Sequence, residues 1–462
     1  MLMNQSRPFD YRLRRLNDKP AQTGDYVLYW MQQSQRAETN HALAYAIEQA
    51  NALRLPVVVV FGLTADYPEA NRRHYGFMLE GLRETQQTLA RQRIPMQIRL
   101  SAPSEAALDL GARASLIVCD RGYLRHQVAW RQEVAHLAAC AVMQVESDLV
   151  VPVETASDKQ EYAARTIRPK LRRRLEDFLI DLPARKPQVS GLAQFSGGEN
   201  IDQLDPLLRR LGVDSSVPAV SWLFKGGTTV AKTRFARFLK TSLQQYDRHS
   251  NQPQTDDISH MSPYLHFGQI SPLYLALQVS RVDHGAARDA YIEQLVARRE
   301  LAFNYVHFQP NYDQLTSLPG WALNTLDAHR HDLRDPLYTS DQLAQSRTHD
   351  PYWNAAMDEM RHTGFMHNYM RMYWAKKILQ WSAGPEEAFE TTLYLNNRYF
   401  LDGRDPNSYV GVAWNYGLHD RAWKERPVFG KIRYMAAAGL RRKCDIEGYI
   451  RKVAQRIKHL RD

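Results

Sequence analysis

The chain has 462 residues, a formal net charge of +10, and 44% hydrophobic and 24% charged residues. That is the composition of a soluble globular protein with room for two domains, and no apolar run is long enough to span a bilayer. The positive balance fits a polyanionic partner, and three scattered cysteines (Cys119, Cys140 and Cys444) exclude a disulfide framework or a zinc site and point to a reducing, cytoplasmic setting.

Residues 1–24, which begin MLMNQSRPFDYRLRRLNDKP, have no apolar core and read as a frayed basic extension, not a secretory signal. Asp25–Trp30, Val57–Phe61, Met96–Leu100, Ser115–Asp120 and Ala141–Ser147 are apolar or β-branched runs expected to form strands. Between them, Asn40–Asn51, Tyr75–Arg93, Pro103–Leu110 and Gln127–Ala138 read as helices. The alternation predicts a doubly wound parallel sheet over residues 25–151, with its ligand side at the carboxyl ends of the strands. No GxGxxG follows the first strand, and Lys225-Gly226-Gly227-Thr228-Thr229 lacks P-loop spacing, which argues against nucleotide-triphosphate chemistry.

Residues 152–225 read as a connector. Its run Arg165, Arg168, Lys170, Arg172, Arg173, Arg174 suits a solvated helix face, and Pro183–Gly198 is turn-rich and expected to be an exposed linker. A second domain is expected to gather from about Ile201, with its helical body over residues 226–462. Phe235–Tyr246 and Ala287–Phe308 read as helices there. Ser259 and Ser262 precede another as cap candidates whose hydroxyls and nearby N–H groups suit a pyrophosphate.

Thr348–Trp423 is the densest stretch, holding five of the nine tryptophans: Trp353, Trp374, Trp381, Trp414 and Trp423. Thr363–Ser382 has no proline and helical apolar spacing, and Pro385-Glu386-Glu387 reads as the next helix start. Trp374 and Trp381, seven apart, share a face, offset by roughly 10 Å. Arg371, Asp402 and Asp405 stand among so many aromatics that burial requires partners. An Arg371–Asp402 ion pair beside a flat aromatic ligand meets that requirement.

The order MHNYMRMYWAKKILQW, LNNRYFLDGRDPNSYVGVAW, HDRAW, with YWMQQSQRAETN, EYAARTIRPKL and SPYLHFGQIS before it, resembles class II cyclobutane pyrimidine dimer photolyases of the photolyase/cryptochrome superfamily. The resemblance runs from Tyr29 to Tyr434 and is densest after Ser262. It implies an α/β N-terminal domain of antenna-binding type and an all-α C-terminal FAD-binding domain. It further implies light-driven repair of pyrimidine dimers in DNA by a carbon–carbon lyase acting as a monomer.

By the same resemblance, FAD is held by Tyr246, Ser259, Met261, Ser262, Arg299, Asn368, Arg371, Asp402 and Asp405, with Asn396 facing flavin N5. Gln294, Met372 and Trp414 face the lesion, and Arg298, Trp414, Arg421 and Trp423 contact DNA. Trp374 and Trp353, then Trp381 and Tyr338, are the electron carriers. A second, antenna chromophore of deazaflavin or folate type is expected near Trp30, Met31 and Arg36, residues that equally suit packing of the domain interface. Two departures stand out. Glu293-Gln294-Leu295 replaces the family's Glu-Glu-Leu, and Ser250-Asn251-Gln252-Pro253 replaces Arg-Asn-Asp-Pro. They leave open an alternative, a cryptochrome-like blue-light receptor that binds FAD without efficient repair.

Overall fold

The computed structural model describes residues 9–283 and 285–458, so the first eight residues of the expected extension lie outside the described residues. Six strands form one sheet among the described residues: β1 (Leu13–Arg15), β2 (Tyr26–Trp30), β3 (Val57–Gly62), β4 (Met96–Arg99), β5 (Ala114–Asp120) and β6 (Ala141–Val145). The order is β1-β6-β5-β2-β3-β4, with β1 antiparallel at the edge and every other pair parallel. Val57 and Val59 enter one core and Val58 and Val60 the other, which is why a continuous β-branched run suits a strand covered on both faces. The strand order reverses between β2 and β5, which places the switch point at Met31 and Asp120.

Leu13–Arg15 corrects the frayed terminus. It pairs with Met143–Val145, and the buried Arg12 guanidinium donates to the carbonyls of Leu149 (3.0 Å) and Val150 (2.7 Å). The connector is corrected as well. Phe195 is buried against Tyr26, Gln97 Nε2 donates to its carbonyl (2.8 Å), and Ile201, Leu207 and Leu208 join the core of the sheet domain. The core of the helical half takes in Ile167, Leu171 and Phe178 of the connector as well as Val220 and Phe224, whereas Ile201 finds its apolar partners on the sheet.

The helix expected over Thr363–Ser382 forms from Asn368 to Trp381, because Thr363 closes the helix before it. One helix, Pro351–Thr363, ends at Gly364 with φ 71, where a Cβ would lie 2.9 Å from Leu401 Cγ. Asn368–Trp381 then starts behind His367, whose Nδ1 accepts from the Tyr369 N–H at 3.2 Å. Pro385–Tyr399 follows, with its proline in the first turn as expected. Phe235–Tyr246 is divided, into the Thr228–Thr241 helix, a short 3-10 turn and a new turn from Tyr246. No helix of the described residues is long and apolar enough to cross a membrane.

The helical half closes on the carboxyl ends of the strands. Gly268, at φ 63, comes so close to the switch-point loop that a Cβ would sit 1.8 Å from the Gln33 carbonyl oxygen. Arg36 donates to the carbonyls of Gly268 (2.9 Å) and Ser147 (2.6 Å). The Glu300 carboxylate accepts from Val150 N at 2.7 Å.

Candidate active site

A cavity of about 560 Å³ opens within the helical half. One wall comes from the Asn368–Trp381 helix, which presents Asn368, Arg371, Met372 and Trp374 at near-helical spacing. Arg371 Nη2 lies 3.0 and 3.1 Å from the two Asp402 oxygens, its Nε donates to the Met366 carbonyl at 3.0 Å, and its guanidinium lies 3.9 Å from the Phe400 ring centroid. The ion pair expected from the sequence is therefore formed, and Phe400 floors it. Asp402 is 7% exposed, so the pair shields each charge from an apolar setting.

Asn396, from the Pro385–Tyr399 helix, donates through Nδ2 to Ser408 Oγ (2.5 Å) and Asn397 Oδ1 (2.9 Å). Asp405 caps the Pro406–Asn415 helix by accepting from Asn407 N at 2.8 Å, and also faces His266 Nδ1 at 3.4 Å. Burial works to raise its pKa, but hydrogen bonds and charge from His266, with Arg299 and Asn407, hold the carboxyl below its usual value. Tyr246 lines the far side edge-on to Tyr291, its phenol pushed up to about 12 by burial.

Three buried polar atoms on the lining residues have no partner among the described residues: Trp374 Nε1, Asn415 Oδ1 and His419 Nε2. Buried polar atoms are normally paired. A cavity of this size with unspent donors and acceptors, a fixed ion pair and aromatic walls fits a large, flat, polar ligand such as a flavin.

Gln294 lies in a six-residue π-helical segment, Glu293–Arg298, inside the expected Ala287–Phe308 helix. Such wide turns change the register of the side chains that follow and recur at functional sites. Gln294 is on the exposed side of the cavity with Arg298. The neighbouring carboxylate of Glu293 is turned to Arg168, with oxygens 2.8 and 2.6 Å from Nε and Nη2. It does not line the cavity and does not stand in for a carboxyl at position 294.

Several expected site residues sit differently. Ser262 opens the Ser262–His266 helix and Ser259 lies before it. Neither caps it, since the cap position is Met261 and makes no side-chain bond; Ser259 Oγ instead accepts from Tyr291. Ser259, Met261 and Ser262 still line the cavity. Arg299 lines it too, but its guanidinium donates to the Asp148 carbonyl (2.7 Å) and carboxylate (3.2 Å) and stacks 4.5 Å from Phe303. Two of its nitrogens are thus committed to Asp148, and the FAD contact expected of it falls to its remaining N–H groups.

Trp353 Nε1 donates to the Trp374 carbonyl at 2.9 Å, and the Trp353 and Trp381 rings meet edge-on at 5.7 Å. Tyr338 reaches Trp381 at 5.4 Å. Trp414 lines the cavity, with Arg433 at 5.2 Å from its ring; the same Arg433 lies 4.4 Å from the Trp423 ring. Asp420 binds Arg433 (2.9 and 3.1 Å) and accepts from Arg421 N (2.9 Å) and Trp423 Nε1 (3.4 Å), which fixes the exposed Arg421–Trp423 turn beside Trp414. Sequence reasoning missed Ser408, Asn407, Arg433 and Asp148. Only Asn407 and Ser408, inside the DGRDPNS run, had a local signal.

A second, smaller cleft of about 80 Å³ lies at the strand ends, between Phe61, Leu63, Tyr67 and Trp130 of the sheet domain and His266 and Arg404 of the helical half. Met31 lines it; Trp30 does not, being wholly buried under the sheet, and Arg36 is spent on the interface. At the switch point the Asp120 carboxylate accepts from the N–H groups of Gln32 (3.0 Å), Gln33 (3.1 Å) and Ser34 (2.8 Å) and from the Tyr29 hydroxyl (3.0 Å). These donors are where such sheets hold a ligand's phosphate. Here a side chain of the protein occupies them.

A mostly parallel sheet docked at its ligand edge on helices that enclose a large polar cavity is an architecture found in other proteins of known structure. In fold the chain is similar to a class III photolyase from Agrobacterium tumefaciens (TM-score 0.71, 18% identity, 94% of this chain and 87% of that one). It is also similar to an archaeal photolyase from Sulfolobus tokodaii, solved with two FAD molecules (TM-score 0.67, 14% identity, 92% and 89%). The DNA photolyase family model matches residues 27–188. The chain is 46% identical over 443 residues to the deoxyribodipyrimidine photo-lyase of Methanothermobacter thermautotrophicus, covering 96% of this chain and 98% of the relative. It is 40% identical over 457 residues to that of Oryza sativa subsp. japonica, covering 95% and 89%. The chain belongs to the DNA photolyase family and is a lyase of that family.

Proposed function

We propose that the protein repairs cyclobutane pyrimidine dimers in DNA, in the manner of class II photolyases. FAD, when bound, supplies the electron that opens the cyclobutane ring. The observation that carries the reading is the cavity itself: the Arg371–Asp402 pair, Asp405 and Asn396 at depth, and Gln294, Met372 and Trp414 toward its exposed side.

Arg371 and Asp402 would grip one edge of the isoalloxazine or ribityl chain, with Asn396 oriented by Ser408 toward the ring. Ser259, Ser262, Asn368 and Tyr246 supply the remaining polar wall. The lesion has to leave the DNA stack to reach such a cavity. Met372 and Trp414 offer it an apolar face, and Gln294 offers one amide donor and one acceptor to the pyrimidine carbonyls. Arg298, Arg421 and Trp423 stand on the exposed side, where phosphates and the vacated helix are met. Trp353, Trp381 and Tyr338 meet ring to ring, and Trp353 joins Trp374 on the cavity wall through the hydrogen bond to its carbonyl, an order suited to restoring electrons from outside.

The cleft at the strand ends suits a flat second pigment of deazaflavin or folate type. Because Asp120 fills the backbone donors there, a phosphate on that pigment would find no place at the switch point. The protein is read as a monomer and as cytoplasmic, the three cysteines being free and buried.

The test is loss of dimers from irradiated DNA under blue light, with the FAD-loaded protein fully reduced. Absence of repair with reduced FAD bound would overturn the reading. It would favour instead a blue-light receptor, for which Gln294 and Ser250, in place of the expected carboxyl and cation, are the supporting observations.

A further inference from the structure

At the surface end of the tryptophan path, Tyr338 and His349 hold each other by two contacts. The Tyr338 hydroxyl lies 2.7 Å from His349 Nδ1, and the His349 backbone N–H donates to the same phenol oxygen at 2.9 Å. With the amide donating to the oxygen, the phenol's own hydrogen is left to point at the imidazole. The rings lie 6.0 Å apart and nearly parallel. Trp381 meets both edge-on, at 5.4 Å from Tyr338 and 5.3 Å from His349, and the Tyr338 N–H donates to the Trp381 carbonyl at 3.0 Å. Trp381 is buried and His349 is exposed.

A phenol that keeps its proton is a poor one-electron donor, because the cation it would leave is a strong acid. A phenol hydrogen-bonded to a neutral imidazole escapes that penalty: electron and proton leave together, in different directions. The backbone amide adds a further advantage. It continues to donate to the oxygen after the proton has gone, and so does the newly protonated Nδ1, so the neutral phenoxyl radical keeps two donors.

We propose that His349 is the base that makes Tyr338 the terminal electron donor of the path. The proposal rests on the relay reading of Trp374, Trp353 and Trp381. The oxidant is a light-excited oxidised isoalloxazine in the cavity. Trp374 gives up one electron to it, the vacancy moves through Trp353 to Trp381, and Tyr338 fills it. The phenol O–H bond breaks, its proton forms a bond to His349 Nδ1, and its electron goes to Trp381. The net change is one electron gained in the cavity, one neutral phenoxyl at Tyr338 and one imidazolium at His349, which is exposed and passes its proton to water. A separation that ends on a neutral radical and loses its proton to solvent resists recombination.

The experiment is time-resolved absorption and electron paramagnetic resonance on FAD-loaded protein, comparing wild type, Tyr338→Phe, His349→Phe and His349→Asn in H2O and D2O. In wild type the long-lived radical is a phenoxyl whose formation slows in D2O. Tyr338→Phe leaves a tryptophan radical instead. His349→Phe and His349→Asn, at an exposed position outside the packed core, shorten the life of the separated state on the order of tenfold, the factor that goes with about one hydrogen bond. The asparagine accepts a hydrogen bond but takes no proton, so it does not rescue. A phenoxyl of unchanged yield and lifetime in both His349 variants overturns the proposal, as does a wild-type radical that stays on tryptophan; in either case the relay stands. No radical at all in wild type overturns the relay reading and the proposal with it.

Discussion

Arg371 Nη2 lies 3.0 and 3.1 Å from the two carboxylate oxygens of Asp402, and the pair rests on the Phe400 ring at one side of the cavity. A carboxylate that shares one cation with an aromatic floor cannot be removed quietly, because the arginine is left partly buried and unpaired. Asp402→Ala should cost about 3 kcal/mol where that charge is desolvated, equivalent to roughly a hundredfold weaker FAD retention. FAD content after gel filtration and a titration with added FAD check it. Unchanged retention would mean that the pair is structural only.

Trp374 joins the cavity wall to Trp353, whose indole N–H takes the Trp374 carbonyl. Trp374→Phe keeps an aromatic volume but removes the readily oxidised ring. Photoreduction of the oxidised, FAD-loaded protein by an external reductant should stop, while chemically reduced protein should still repair. A wild-type photoreduction rate in this variant would make Trp374 a core residue and nothing more.

Gln294 faces the cavity while Glu293 is held by Arg168. No carboxyl is therefore supplied by this segment to a charge that arrives on the lesion. Gln294→Glu should raise the repair yield per photon and change lesion affinity by only about 1 kcal/mol, one hydrogen bond's worth. The effect belongs to the yield because the charge exists only after electron transfer. A quantum-yield comparison with reduced FAD and saturating dimer DNA decides it; an equal or lower yield in the glutamate variant would count against it.

His367 starts the Asn368–Trp381 helix as an acceptor, so its imidazole has to stay neutral. Burial, with charge from Lys452 and Arg371 adding to it, pushes it down to about 3 from 6.5. The folded state thus refuses a proton that the unfolded chain accepts below pH 6.5. The stability this contributes is present above pH 6.5 and is lost as pH falls toward 3. The slope is about 1.4 kcal/mol per pH unit in that window. His367→Asn keeps an oxygen for the Tyr369 N–H and does not titrate. Its stability should therefore fall less steeply than wild type between about pH 6.5 and about pH 4, as read by urea unfolding at each pH. Parallel curves would remove His367 as the cause.

The sequence by itself determined the elements and their order. Val57–Val60 reads as a doubly covered strand because side chains alternate within the run itself. Asn40 and Pro385 mark helix starts from local chemistry, the first because its side chain accepts from the Leu43 N–H and the second because proline suits a first turn. The Arg371–Asp402 pair was legible because two charges in an aromatic stretch demand each other. What the tertiary structure alone decided is where groups far apart in sequence spend their bonds. Arg299 turns to Asp148, 151 positions away. Leu13–Arg15 becomes a strand only because β6 offers an open edge. Gln294 faces the cavity while Glu293 is drawn off by Arg168, 125 positions earlier. Local patterns fix local hydrogen bonds; a buried charge or an open edge takes whichever partner the fold brings within reach, and no spacing along the chain encodes that choice.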